Sequence, residues 1–390
     1  MLWFSRRPQA TQEALVCPQA LKTPPFLTFA DDDLHNRYAW ATLEYNYPIA
    51  HYVNCQELLY DIFFRGHDST IVMVGPGFAS NLRILRNTTF LVDGESATFE
   101  LQSNAFHHYN AYLVVSGLAA KGSVRVEAPD IGFKATLTKT RPLSGLRVAA
   151  QTIYKGDEDL LPMWIAYHHQ IGFDAFFLYK NDETPTNITT ILTKLVQDIK
   201  KPITIIIWSW PYPYFQPFEL GIVNSGQVTA QNHAIQRYKY DVSWLLLNDN
   251  DEYLVPRQHS TVNEWLKTVP EKFAAVSLET VWFGCPPPGT EYNNDNFIQH
   301  LTLRKDESEG RWFRMKVIIR PTVAHLVITH IVVDSDGLLL YMDPNIAWLN
   351  HYRTITRVSD RSGCRDAENV EDTRIVHLFK SKNLYGNIID

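Results

Sequence analysis

The feature that most constrains this chain is an alternation of apolar strands and amphipathic helices between residues 146 and 249. "LRVAAQTIY" reads as a buried strand. "DEDLLPMWIAYHHQIG" follows as a helix, with acids at its start and Gly172 at its end. "FDAFFLYKND" is a second strand, and "NITTILTKLVQDIKK" is a helix with Ile188, Ile191, Leu192, Leu195 and Ile199 on one face. "ITIIIWSW", "SGQVTAQNHAIQRYKYD" and "VSWLLLND" complete a strand, a helix and a fourth strand. Strand–helix repetition of this kind closes into a mainly parallel α/β sheet, and ligands of such sheets sit beyond the carboxyl ends of the strands.

The fourth strand ends in "WLLLNDNDEYLVP", residues 244–256, where Asp249, Asp251 and Glu252 follow four apolar residues. Carboxylates there lie at the mouth of the sheet. Asp249 and Asp251, two apart in an extended loop, can converge on one hard cation, which takes oxygen ligands and bridges to phosphates. The bland reading is a solvated acidic turn that ends a strand, since a bare D-x-D is common.

The chain has 390 residues, enough for two domains, and 45% of them are hydrophobic. Residues 1 to about 50 read as irregular, with Pro24-Pro25 and the acidic "ADDDL". From about 68 to 140 the runs shorten to "STIVMV", "TTFLVDGESATFELQ", "AYLVVSG", "SVRVEA" and "FKATLTK", with turn signals such as Asp93-Gly94. This predicts an antiparallel β-sandwich, with "TRPLSG" as the linker out of it and a boundary that divides residues 1–143 from 144–390. The fragment 1–143 is expected to fold without the rest.

Net charge is −6 with no basic block, so a nucleic-acid partner ranks low. Aromatics reach 13%, which suits surfaces that stack on the C–H faces of sugars, or a bulky core. The four cysteines, Cys17, Cys55, Cys285 and Cys364, show neither a CxxC pair nor zinc spacing and read as free thiols. The sequons at Asn87 and Asn187 stand alone as hints of secretion. The N-terminus lacks a signal-peptide pattern, and no apolar run approaches the roughly 18 residues of a membrane span. The expected location is cytoplasmic and soluble, in the host cytoplasm if the chain is viral.

The segment from Trp244 through Asp249, Asp251, Glu252 and Tyr253 to Pro256 resembles a stretch of glycosyltransferase family 92 and related family-2-like enzymes of the GT-A fold. "EDLLPMWIAYHHQIGFDAFFLYKND" is similar to another block of that family, with Trp164, His168, Gly172, Asp174 and Tyr179 in register. "WFG" (282–284), "KVIIRP" (316–321) followed by His330, and "NHYRTIT" (350–356) resemble its later segments. The likeness runs over roughly 146–380. It departs at Met163, where the family has Glu, at Lys180, which interrupts a Tyr-Asp-Asn, and at Asn250 inside the D-x-D. The membrane anchor usual in animal and plant members is missing from the pattern, which fits a bacterial, algal or large-DNA-virus enzyme.

The resemblance implies a nucleoside-diphosphate sugar donor (UDP-sugar favoured), a glycan acceptor, a divalent Mn2+ or Mg2+, and inversion at the anomeric carbon. Asp249 and Asp251 are the expected metal ligands, with Asp251 the more direct. His351 either completes that shell or is an ordinary satisfied histidine. The nucleoside is expected over the strand ends at Gln151, Thr152 and Lys155 and at Asn181 and Asp182. Lys155 or Lys316 neutralises phosphate unless each is a solvated surface charge. Trp282 and Phe283 form a sugar-stacking wall or belong to the core. Glu279, at the end of "FAAVSLE", is the expected general base, with Asp306 and Glu307 as rivals.

Two other classes compete. A non-catalytic glycan-binding protein, a sandwich lectin with a degenerate transferase domain, would have no need to retain clustered acids. A nucleotidyltransferase would want a Gly-rich phosphate loop, and "VAAQTIYKGDED" has none.

Overall fold

The computed structural model describes residues 41–53, 56–104, 108–143, 145–146, 148–182, 188–199, 201–218, 221–285, 297–305, 315–352 and 368–381. Cys17, Cys55, Cys364, Asp306, Glu307, Asn187 and the side chain of Cys285 fall outside them, and with them the thiol reading and the rival bases.

The alternation read from the sequence builds one eight-stranded sheet. Its order runs Ala41–Asn46, Ile203–Ser209, Ala175–Lys180, Val148–Tyr154, Trp244–Leu247, Lys316–Ile319, Phe273–Leu278, Leu338–Tyr341. Only Lys316–Ile319 runs against the others. The central strands are apolar on both faces, as a doubly covered parallel sheet requires. Ala150, Phe176, Leu178, Ile205 and Ile207 pack on one side, with Trp164 and Leu192 of the helices Leu161–Gln170 and Ile188–Ile199. Their strand neighbours Ala149, Phe177, Tyr179, Ile206 and Trp208 pack on the other side, against Ala230, Ala234 and Ile235 of the helix Ser225–Arg237. The helix Leu161–Gln170 stops at Gly172, whose φ of +110° is costly for a side chain. A Cβ there would also meet Asn263 Nδ2 at 2.8 Å.

The N-terminal strands form two four-stranded antiparallel sheets. Phe64, Ile71, Met73, Val124, Val126 and Leu137 fill one core between them. The Asp93-Gly94 turn closes Leu91–Val92 onto Glu95–Ser96 with both residues at positive φ, 52° and 88°, as a two-residue hairpin loop demands. Residues 41–46 were expected to be irregular. They form instead the edge strand of the large sheet, parallel to Ile203–Ser209, because Leu43 and Tyr45 pack on the apolar cluster beneath. The outer face of the first N-terminal sheet is buried too: Tyr60, Phe63, Val72 and Val74 share a core with Phe177 and Trp208. A buried polar chain crosses that seam. Tyr179 Oη lies 2.6 Å from His233 Nδ1, and His233 Nε2 lies 2.9 Å from Asp61 Oδ2.

A second, five-stranded sheet carries Glu252–Pro256, Ala347–Tyr352, Thr280–Cys285, Leu303–Lys305 and Glu368–Glu371. The helix Leu161–Gln170 holds its first strand by three hydrogen bonds. Trp164 Nε1 donates to Glu252 O at 3.0 Å, Tyr167 Oη donates to Leu254 O at 2.7 Å, and Leu254 N donates to His168 Nε2 at 3.3 Å. His168 Nδ1 sits 2.8 Å from Trp164 O, so the ring is neutral and carries its proton on Nδ1. Burial pushes its pKa down to about 3.

The unfolded chain binds a proton at His168 near pH 6.5, and the folded chain does so only near 3. The stability this histidine contributes is therefore present above pH 6.5 and is lost as pH falls through that window, by up to about 1.4 kcal/mol per pH unit. Urea midpoints at pH 7, 6, 5 and 4 should fall steadily. The fall should be shallower in His168→Gln, which keeps an acceptor for Leu254 N. Parallel curves for the two proteins would refute the assignment.

Candidate active site

The strand Trp244–Leu247 ends level with Gln151 on its neighbour, and Asn248 N still donates to Gln151 O at 3.3 Å. The chain then leaves the sheet, and Asn248–Asp251 turns at its mouth. The turn is tied to itself: Asp249 N donates to Glu252 Oε2 at 3.0 Å, and Glu252 N donates to Asp249 O at 3.1 Å. Asn248 Nδ2 donates to Glu252 O at 2.9 Å.

The acids are not bare. Lys316 Nζ lies 2.6 Å from Asp249 Oδ2 and 3.0 Å from Glu252 Oε2. Lys316 is 2% exposed, so it is a buried counter-ion and not a solvated charge. Burial opposes its ammonium, but Asp249 and Glu252 outweigh burial and hold it protonated. Burial, with Asp249 and Asp251, raises the Glu252 carboxyl, while Lys316 and His351 pull it back. His351 is the strand partner of Glu252, and its Nε2 lies 3.3 Å from Asp251 Oδ2. Burial works against charge on His351, yet Asp251 and Glu252 prevail and its pKa rises. Gln227 Nε2, from the first turn of the helix Ser225–Arg237, donates to Asp249 Oδ1 at 3.1 Å.

This cluster forms part of the lining of a cleft of about 590 Å³ at the carboxyl ends of the strands. Lys155, Asn181, Asp249, Asp251, Lys316 and His351, all expected from the sequence, line it. Asn181 braces a loop: its Nδ2 donates to Trp210 O at 2.8 Å and Tyr212 O at 2.7 Å. Gln151 and Thr152 are buried within their strand, deeper in the sheet, and are not part of the lining. Nor is Asp182, whose carboxylate pairs with Lys180. Glu279 lies outside the lining as well, at the joint between the strands Phe273–Leu278 and Thr280–Cys285, and its carbonyl accepts from Leu349 N at 2.9 Å. Phe283 belongs to the core.

The sequence reading passed over Tyr154, Asp157, Tyr214, Phe215, Asn224, Gln227, Thr329 and His330 as site residues. Asp157 was the findable one, since it opens the helical segment straight after the first strand. Burial raises its carboxyl to about 6, with Asn250 and the Lys155 amide opposing.

A family model described as "Glycosyltransferase family 92" matches residues 145–383. The chain belongs to glycosyltransferase family 92. It is thus an enzyme of sugar transfer, with a sugar donor and an acceptor as its partners, and the glycan-binding and nucleotidyltransferase alternatives fall away. A search of curated proteins finds no match. Among solved structures the family 92 chain is similar to HddC from Yersinia pseudotuberculosis, at 10% identity and a TM-score of 0.29 over 53% of this chain and 93% of that one. It is also similar to a predicted RNA methyltransferase from Thermotoga maritima, at 12% identity and a TM-score of 0.14 over 44% and 68%. Likeness this slight carries no argument. No helix among the described residues is long and apolar enough to cross a membrane.

Among the described residues no group of three or more His, Cys, Asp or Glu is arranged to hold a metal ion. Asp249 is engaged by Lys316 and Gln227. Asp251 Oδ2 and His351 Nε2 lie 3.3 Å apart, close to the edge of an octahedron with bonds of about 2.1 Å, and become a pair of donors once the ring gives up its Nε2 proton. That pair fits a hard divalent ion whose other ligands come from a diphosphate and water, the usual manner for such ions.

Removing the buried cation should be costly. Lys316→Met takes the shared cation from two carboxylates, one of them buried, and such losses run to about 3–5 kcal/mol. The check is urea unfolding of the variant at pH 7. A change below about 1 kcal/mol would mean that Lys316 is not the counter-ion of this cluster.

Proposed function

We propose that this family 92 enzyme moves a sugar from a nucleoside-diphosphate donor, a UDP-sugar in preference, to a glycan hydroxyl with inversion at the anomeric carbon. The observation that carries this reading is the cleft at the strand ends, with an acid turn, two lysines and two histidines around it. In this reading residues 144–390 form a GT-A domain. The two four-stranded sheets within residues 1–143 form a β-sandwich that serves as a carbohydrate-binding module, and the enzyme works in the cytoplasm.

Nucleoside and ribose lie over Tyr154, Lys155, Asp157 and Asn181, where a carboxylate and an amide can meet hydroxyls and base edges. Gln151, Thr152 and Asp182 shape that end from behind. Departure of the diphosphate builds negative charge, and Lys155 lines the cleft where it can offset it. Asp251 and His351 hold Mn2+ or Mg2+, which when bound supplies further neutralisation of the leaving group. Asp249 acts one step back: held by Lys316 and Gln227, it fixes the turn that presents Asp251. Inversion needs one base to take the acceptor proton. Glu279 keeps this role, supported by its place at the joint of the two sheets, directly before the strand Thr280–Cys285 that pairs with the strand of His351.

Asp251→Ala should abolish sugar transfer while thermal unfolding stays close to that of the native chain. Transfer assayed across UDP-hexoses with saturating Mn2+ tests this. Near-native turnover would remove Asp251 from the metal site. Glu279→Gln should lower turnover by about 10²–10⁴, the usual worth of general-base catalysis, with donor affinity by calorimetry unchanged. Parallel loss of donor binding would make Glu279 a donor ligand. Undiminished turnover would move the base to Asp306 or Glu307.

A further inference from the structure

Phe215 breaks the pattern of aromatic burial. The rings of Tyr154, Trp210 and Tyr212 are each no more than 2% exposed, whereas Phe215 is 61% exposed and still lines the cleft. Single exposed apolar residues are common on protein surfaces, but this ring is exposed on the lining of a cleft, where its face is open to a ligand.

The ring is also held. It packs edge-on against Tyr214, with centroids 4.8 Å apart and planes at 82°. Tyr214 is anchored in turn, since its Oη donates to Gln227 Oε1 at 2.8 Å and Gln227 donates to Asp249. The backbone beneath is pinned as well. Asn181 grips the carbonyls of Trp210 and Tyr212, and Gly226 lets the loop lie directly on the helix, where a Cβ would meet Pro213 O at 2.6 Å. The chain of contacts runs from Phe215 through Tyr214 and Gln227 to Asp249. The exposed ring therefore stands at a fixed place relative to the acid turn.

We infer that Phe215 is the platform on which the acceptor sugar stacks, a specificity-determining residue whose ligand is the C–H face of a neutral pyranose. This rests on the transfer reaction proposed above. Two observations select the acceptor. Tyr154 and Asp157, at the nucleoside end proposed above, belong to the strand Val148–Tyr154 and the turn after it, whereas Phe215 belongs to the separate loop before the strand Gln216–Phe218. The cleft lining that Phe215 joins also holds Asn224, Thr329 and His330, hydrogen-bonding side chains suited to sugar hydroxyls.

The test is saturation-transfer NMR on the full chain with UDP and Mn2+, using the methyl glycosides of galactose, glucose and mannose as probes. At least one glycoside should receive saturation, strongest on the protons of one ring face. In Phe215→Ala that signal should fall by about two- to tenfold in apparent affinity, the worth of one aromatic contact, and Phe215→Tyr should restore it. Three results would overturn the inference: no glycoside bound by the native chain, equal signals in native and Phe215→Ala protein, or loss confined to the uracil protons of UDP. The last would give Phe215 to the donor. Failure of the transfer proposal is separate, since it would show as no turnover of any nucleotide sugar by a chain that still binds a glycoside at Phe215.

Discussion

The buried ammonium of Lys316 is the interaction on which the site depends. Three acids in four positions at the end of an apolar strand repel one another and resist burial. One cation within 3.0 Å of two of them turns that cost into attraction. It comes from the one strand of the large sheet that runs the other way. Because Lys316–Ile319 is antiparallel to Trp244–Leu247, its first residue stands where the neighbouring strand ends. A parallel strand at that place would bring its last residue to the mouth instead. The direction of a single strand thus decides which side chain meets the acid turn.

Around that point the two sheets are locked to each other. The acid turn is the hinge between them, since Trp244–Leu247 belongs to the eight-stranded sheet and Glu252–Pro256 to the five-stranded one. The helix Leu161–Gln170 spans the joint with Trp164, Tyr167 and His168 in successive contact with Glu252 and Leu254. Trp164 and His168, four apart on one helical face, are also among the residues that carry the family resemblance. Their contacts explain them physically: they aim the strand that bears the acids and do no chemistry themselves.

The pairing of functions in the cluster follows from geometry. Asp249 is bound on both oxygens, by Lys316 and by Gln227, and so serves as a fastening. Asp251 faces His351, whose charge it sustains against burial. The two aspartates of one short motif therefore stand in different surroundings, set by which of them the lysine reaches.

How much of this was legible depended on range. The strand–helix alternation, the Asp93-Gly94 turn and the end of the helix at Gly172 follow from local patterns of period two and period three to four, and from the φ that a glycine permits. They are readable because each is settled within a few residues. The place of the acid turn at the mouth of the sheet was also readable, since strand direction in a parallel α/β unit fixes which end carries the loops. Partners distant in the chain were not. That Lys316 is buried beside Asp249, that Gln151 and Thr152 lie within the sheet while Lys155 reaches the cleft, and that Ala41–Asn46 forms its edge depend on register and pairing across 60 to 160 residues. A lysine in a sequence carries no sign of whether water or two carboxylates will surround it. Only the tertiary fold, by choosing the direction and register of its strands, decided that.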